Sequence, residues 1–158
     1  MDAVLVLVNF RLRLADCGFR NRCLINRKAA TINLQYAAMD VQNINRVPAF
    51  TTKDGSQIRE LLAHRNSCIR KQSLAEARVA PGQRTTPHYH PLTEEIYYLL
   101  EGTGRMRIGD EVRDVGPGDA IVIPPGAAHT IENTGAGLLK FLCCCAPAYE
   151  DADTVLVE

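Results

Sequence analysis

The sequence predicts an all-β domain, a barrel or sandwich that closes one layer of short strands over another. Two observations carry this: beyond Arg70 the chain turns into short alternating runs, and glycine or proline clusters punctuate them at close intervals. A length of 158 residues is enough for one such core and too short for two. A single site is therefore sought.

Eight strands are expected, at about 72–80, 86–90, 95–100, 105–108, 111–115, 120–123, 129–132 and 138–145. Turn signals separate most of them: Ala80-Pro81-Gly82, Gly102-Thr103-Gly104, Gly109-Asp110, Gly116-Pro117-Gly118 and Pro124-Pro125-Gly126. Gly102 and Gly126 are read as positive-φ turn positions. Asp119 and Asn133 are read as turn formers with no part in catalysis.

Upstream the text differs. Residues 1–38 hold six basic and two acidic side chains, leaving twelve and sixteen for the remainder, so the two parts carry +4 and −4. That first segment lacks a clear amphipathic period and is expected to be an extraneous or disordered appendage, with Met39 as the natural start. Residues 39–71 read as an N-terminal arm with one short helix. Asp54 and Gln57 have capping-box spacing ahead of Ile58, Leu61 and Leu62, and His64 falls at the C-terminal end, where it suits the helix dipole better than a ligand role. The barrel itself is expected over 72–158.

The balance of 18 basic and 18 acidic residues gives no electrostatic footprint for nucleic acid or an anionic membrane, which leaves a small molecule as the expected partner. The apolar run from Ala3 to Val8 is too short for a membrane span or a secretory segment. Six cysteines, at 17, 23, 68, 143, 144 and 145, contain no Cys-x-x-Cys pair and do not space like a disulfide framework. A cytoplasmic location follows, with Cys143 to Cys145 expected as buried, unreactive thiols.

The chemistry concentrates in one constellation. His88 and His90 are two apart in a β segment, so both leave the same face while Tyr89 points away. After Pro91, Leu92 and Thr93 the chain returns, and Glu95 can face the imidazoles; His129, after Pro124-Pro125-Gly126, can enter the same interior. Three neutral nitrogens and a carboxylate suit one divalent transition metal, Fe, Mn, Co, Ni, Cu or Zn, and do not suit calcium or magnesium.

A histidine pair alone is weak evidence, and spacing strengthens it. One string runs Gly82, five residues, His88, one residue, His90, four residues, Glu95, six residues, Gly102; another runs Gly118, five residues, Pro124, one residue, Gly126, two residues, His129, three residues, Asn133. These strings resemble the two motifs of the cupin superfamily, joined by fifteen residues as in small single-domain members. The resemblance implies a double-stranded β-helix, or jelly-roll barrel, with His88, His90, Glu95 and His129 as metal ligands. Glu94 is the competing carboxylate, but only Glu95 keeps six residues before Gly102.

The same resemblance implies a homodimer, with Ile96 to Leu100 and Leu138 to Cys145 as apolar surface for it. Four ligands on a six-coordinate ion leave two positions for water, substrate or dioxygen. Oxygen-dependent cleavage of a small oxygenated molecule is placed first, ahead of isomerisation and decarboxylation, with a non-catalytic sensing or binding cupin as the rival. Strand alternation nominates Gln72, Glu76, Arg78, Tyr97 and Leu99 as pocket lining, and sends Arg105 and Arg107 to solvent.

Overall fold

The computed structural model describes residues 39–157; the segment 1–38, with the expectations placed on it, and Glu158 lie outside the described residues. The described chain forms two antiparallel sheets packed face to face, as the motif resemblance implies. The first has the order β1 (Phe50–Thr51), β2 (Gln57–Leu62), β3 (Ser73–Val79), β10 (Leu139–Ala146), β5 (Glu94–Glu101), β8 (Ala120–Ile123). The second has the order β11 (Val155–Leu156), β4 (His88–Tyr89), β9 (His129–Asn133), β6 (Gly104–Ile108), β7 (Glu111–Val115).

Alternation builds the core. On β10, Leu139, Phe141, Cys143 and Cys145 face inward, and β5 answers with Tyr97 and Leu99 in the paired register. Met106 and Ile131 come from the opposing sheet, and all of these side chains are buried. Burying one such large apolar side chain is worth roughly 1.5–3 kcal/mol, so the inward row of β10 alone anchors the sandwich. Arg105 and Arg107 stay exposed on β6, on the side the sequence assigned them.

The turns carry backbone constraints. Gly102 has φ of 82°, and a Cβ there would stand 2.7 Å from the Leu138 carbonyl oxygen, so glycine is required twice over, by conformation and by space. Asp119 accepts from the Gly116 amide at 2.8 Å, as a turn former should. Asn133 does more than a turn residue: its Nδ2 donates to the carbonyls of Val79 at 2.9 Å and Gly137 at 2.8 Å, and its Oδ1 accepts from Gly135 N. It ties three segments together from a fully buried position.

One expectation is overturned. The helix expected between Asp54 and His64 is strand β2, paired with β3 from Gln57↔Arg78 to Leu62↔Leu74. The Asp54-Gly55 dipeptide is the tip of the β1–β2 hairpin: Gly55 takes φ of 87° and its amide donates to Thr52 O. The Asp54 side chain bonds Thr52 and Ser56 across that turn in place of a helix N-terminus. His64 accordingly caps no helix, and its Nε2 lies 3.3 Å from Glu150 Oε1. Among the described residues the helical elements are two 3-10 turns, Ile44–Arg46 and Asp151–Asp153, and no helix is long and apolar enough to cross a membrane.

Candidate metal centre

Strand β4 is two residues long, and its pairing puts His88 directly opposite His129 on β9. His90 follows just past the strand end on the same face, so three imidazoles point into the barrel and all three are buried. One ring nitrogen from each lies within 4.8 Å of the others. The sequence placed these three together, and here they stand together.

Each ring is oriented from behind. His88 Nδ1 meets Thr86 O at 2.8 Å, His129 Nδ1 meets Ala127 O at 3.0 Å, and His90 Nδ1 meets Asp153 O at 3.2 Å. A carbonyl oxygen only accepts, so each Nδ1 carries the proton and each Nε2 turns a lone pair inward. Glu95, on β5, brings Oε2 to 3.4 Å from His90 Nε2 and 3.6 Å from His129 Nε2. Glu94 is exposed on the other face.

Glu95 Oε2 and His129 Nε2 are buried with no hydrogen-bond partner. Two acceptors facing each other without a donor cost on the order of 1–3 kcal/mol each, and a divalent cation between them removes that cost. The donor set therefore fits such an ion, with hard and borderline ligands of the kind transition metals take. Burial pushes the Glu95 pKa up, but the His129 and His90 imidazoles more than offset it and hold the carboxyl at about 2. Burial, with repulsion from His129, lowers His88; at His90 burial is outweighed by Glu95 and Asp153, and its pKa rises.

Other parts of the chain complete the surroundings. The Asp153 carboxylate accepts from the amides of Leu92 and Thr93, fixing the loop between β4 and β5, while its carbonyl holds His90. Cys145 Sγ donates to Glu95 Oε1 at 3.3 Å across the β5–β10 pair. Neither residue was singled out for the site from sequence; Asp153 is sixty-odd positions from its partners.

His88, His90 and Glu95 border a cavity of about 50 Å³ that opens to solvent, walled by Thr52, Asp54, Ser56, Ile58, Glu60, Ser73, Ala75, Ala77, Tyr97, Phe141, Cys143 and Tyr149 among others. Of the nominated lining residues, Tyr97 is on this wall. Leu99 is core, Gln72 is exposed, and Glu76 pairs with Arg78 on the outer face at 2.5 Å. The alternation on β3 was assigned to the wrong phase: Ser73, Ala75 and Ala77 face the cavity, which turns Gln72, Glu76 and Arg78 away from it. Asp54 and Ser56 went unnoticed because the hairpin that delivers them was read as a helix start.

Comparison with known proteins agrees with the architecture. Residues 75–145 match the Cupin domain family. An uncharacterised protein of Methanocaldococcus jannaschii is 48% identical over 114 residues, covering 72% of this chain and 91% of that one. The tetracenomycin polyketide synthase protein TcmJ of Streptomyces glaucescens is 34% identical over 84 residues, 52% of this chain and 56% of its own. Among solved structures, the polyketide cyclase RemF from Streptomyces resistomycificus superposes with a TM-score of 0.64 at 27% identity, covering 76% of this chain and 86% of that one. The chain belongs to the cupin family.

Proposed function

We propose that this cupin is a metal-dependent enzyme acting on a small oxygenated molecule, with His88, His90, Glu95 and His129 as the ligand set. The observation that carries the reading is the pair of buried, partnerless atoms, Glu95 Oε2 and His129 Nε2, beside a cavity that His88, His90 and Glu95 line. A divalent ion held there supplies a Lewis acid that polarises a ligand oxygen and eases loss of a neighbouring proton. The protein's part is orientation: backbone carbonyls fix the imidazoles, and Ala75, Ala77 and Phe141 give the cavity an apolar portion of wall.

Oxidative cleavage of a bound enediol or diketone stands first among the reactions, on the strength of an intact ligand set that leaves open positions on a six-coordinate ion. Sugar-phosphate isomerisation or decarboxylation of a dianionic acid calls for a cationic residue at the ligand, and among the described residues no lysine or arginine lines the cavity. RemF and TcmJ, a polyketide cyclase and a polyketide synthase protein by name, add ring closure on an oxygen-rich carbon chain as a second reading. The test is oxygen uptake and product analysis of the iron- or manganese-loaded protein with small diketones and polyphenols. Tight binding without turnover for every metal would assign the protein to the non-catalytic, ligand-binding cupins.

The outer face of β5 and β8 supports a homodimer. Ile96, Tyr98, Leu100 and Val122 form an exposed apolar patch there, with Ile96 directly beside Val122.

A further inference from the structure

Asp54 lines the same cavity as His88, His90 and Glu95, and it is buried. Its two oxygens differ. Oδ1 accepts from Thr52 Oγ1 at 2.6 Å, the Ser56 amide at 3.2 Å and Ser56 Oγ at 2.9 Å. Oδ2 has only the same Ser56 hydroxyl, at 3.1 Å, and that single proton goes to the nearer Oδ1. One carboxylate oxygen of this cavity-lining residue is thus left with acceptor capacity.

The group is also held in place. Thr86 N donates to the Asp54 carbonyl at 2.6 Å, tying the hairpin tip to the chain two residues before His88. Glu60, the neighbouring carboxylate of the wall, is matched by Arg65 at 2.5 Å. Asp54 has no such cation among the described residues, and none lines the cavity. Asp54, the apolar side chains Ala75, Ala77 and Phe141, and the imidazoles of His88 and His90 all line this one cavity, so a ligand held at the histidines also meets a fixed negative acceptor.

We infer that Asp54 is the specificity-determining residue of this cavity: it accepts a hydrogen bond from a hydroxyl at the far end of a neutral ligand and turns away ligands with a carboxylate or phosphate at that end. The inference rests on the metal-dependent reading above, since the ligand's near end is the oxygen pair that faces the imidazoles. Selection works by both signs, an attractive contact to the donor and a like-charge contact against the anion.

The experiment uses the cobalt(II)-loaded full chain and three probes followed by calorimetry and by the cobalt absorption spectrum. Catechol carries only the near end, protocatechuyl alcohol adds a hydroxyl at the far end, and protocatechuate replaces it with a carboxylate. The wild type is expected to bind the alcohol about tenfold or more tightly than the acid. Asp54→Asn keeps an acceptor for Thr52 and Ser56 but turns Oδ2 into a donor, so it is expected to lose or reverse that ratio. Equal or tighter binding of protocatechuate by the wild type overturns the inference, and needs no variant. So does an unchanged ratio in an Asp54→Asn protein that still takes catechol. Failure of cobalt or catechol to bind the wild type at all sinks the metal-dependent reading, and this inference with it.

Discussion

Cys145 stands directly across from Glu95 in the β5–β10 register, and its thiol donates to the carboxylate oxygen that faces away from the imidazoles. Burial drives the thiol pKa up, helped by the Glu95 charge, so the sulfur keeps its proton and remains a donor. The effect is to leave Oε2, and only Oε2, for the histidine side.

Replacing that thiol tests its role. Cys145→Ala leaves a buried carboxylate oxygen without a donor and lets Glu95 rotate, so divalent-metal affinity is expected to fall about 10–100-fold, the range for partners of ligating groups. Cys145→Ser restores a donor and should recover part of the loss. Competition titration against a chelator measures both, and wild-type affinity in the alanine variant would remove Cys145 from the site.

Metal should stabilise the fold, because the ligands converge only when β4, β5 and β9 are assembled. Excess divalent ion at about a hundred times its Kd adds roughly 2.7 kcal/mol, read as a rise in Tm. His129→Ala removes one of the two partnerless atoms of the cluster and is expected to abolish most of that rise. An equal rise in the variant would mean that the ion binds elsewhere.

Acid should weaken metal uptake, and His90 sets where this begins. Its pKa is raised, so in the metal-free protein it holds a proton further up the pH scale than an ordinary histidine, and a metal must displace that proton. Affinity is then expected to be flat above the His90 pKa and to fall about tenfold per pH unit below it. Glu95, held at about 2, adds nothing in this range, and His88, whose pKa is lowered, joins only at more acid pH. Metal affinity independent of pH from about 5 to 8 would contradict this order.

The parts legible in sequence were those with a local signature. The eight strands from β3 to β10 follow from period-two alternation between turn residues, and His88, His90 and His129 from spacing in two short strings. What escaped depends on pairing between distant segments. Residues 57–62 carry an apolar pattern compatible with a helix, and only pairing with β3 makes them a strand. With that hairpin misread, Asp54 was invisible as a cavity residue. β11 is two residues, Val155 and Leu156, extended because β4 is beside them, and no pattern that short can be read alone. The phase of β3 failed for a related reason: Glu76 is buried among arginines on the outer face, so burial did not coincide with the cavity side.

The turn at Gly102 should be among the least tolerant positions. Alanine there combines left-handed backbone with a Cβ at 2.7 Å from a carbonyl oxygen that the β5–β6 turn cannot move without displacing β10. A loss of about 2–4 kcal/mol is expected, from the two penalties together. Gly82, also at positive φ but with open space around its Cβ position, should lose less on the same change. Urea midpoints of the two variants measure the difference, and equal midpoints would show that the close approach to Leu138 is relieved by relaxation.

The outer face of β5 and β8 gives the last prediction. Val122 is 65% exposed and Ile96 42%, side by side in register, with Tyr98 and Leu100 continuing the patch along β5. Large apolar side chains in one contiguous row are unfavourable against water, and a second copy of the same sheet face would cover them symmetrically. Ile96→Glu places a charge at the centre of that contact and leaves the buried side of β5 untouched, so the variant should keep its metal site and become monomeric. Light scattering at low concentration distinguishes the two states. A wild type that is already monomeric would leave the patch unpaired and defeat the dimer, whereas an Ile96→Glu dimer would move the contact to another face.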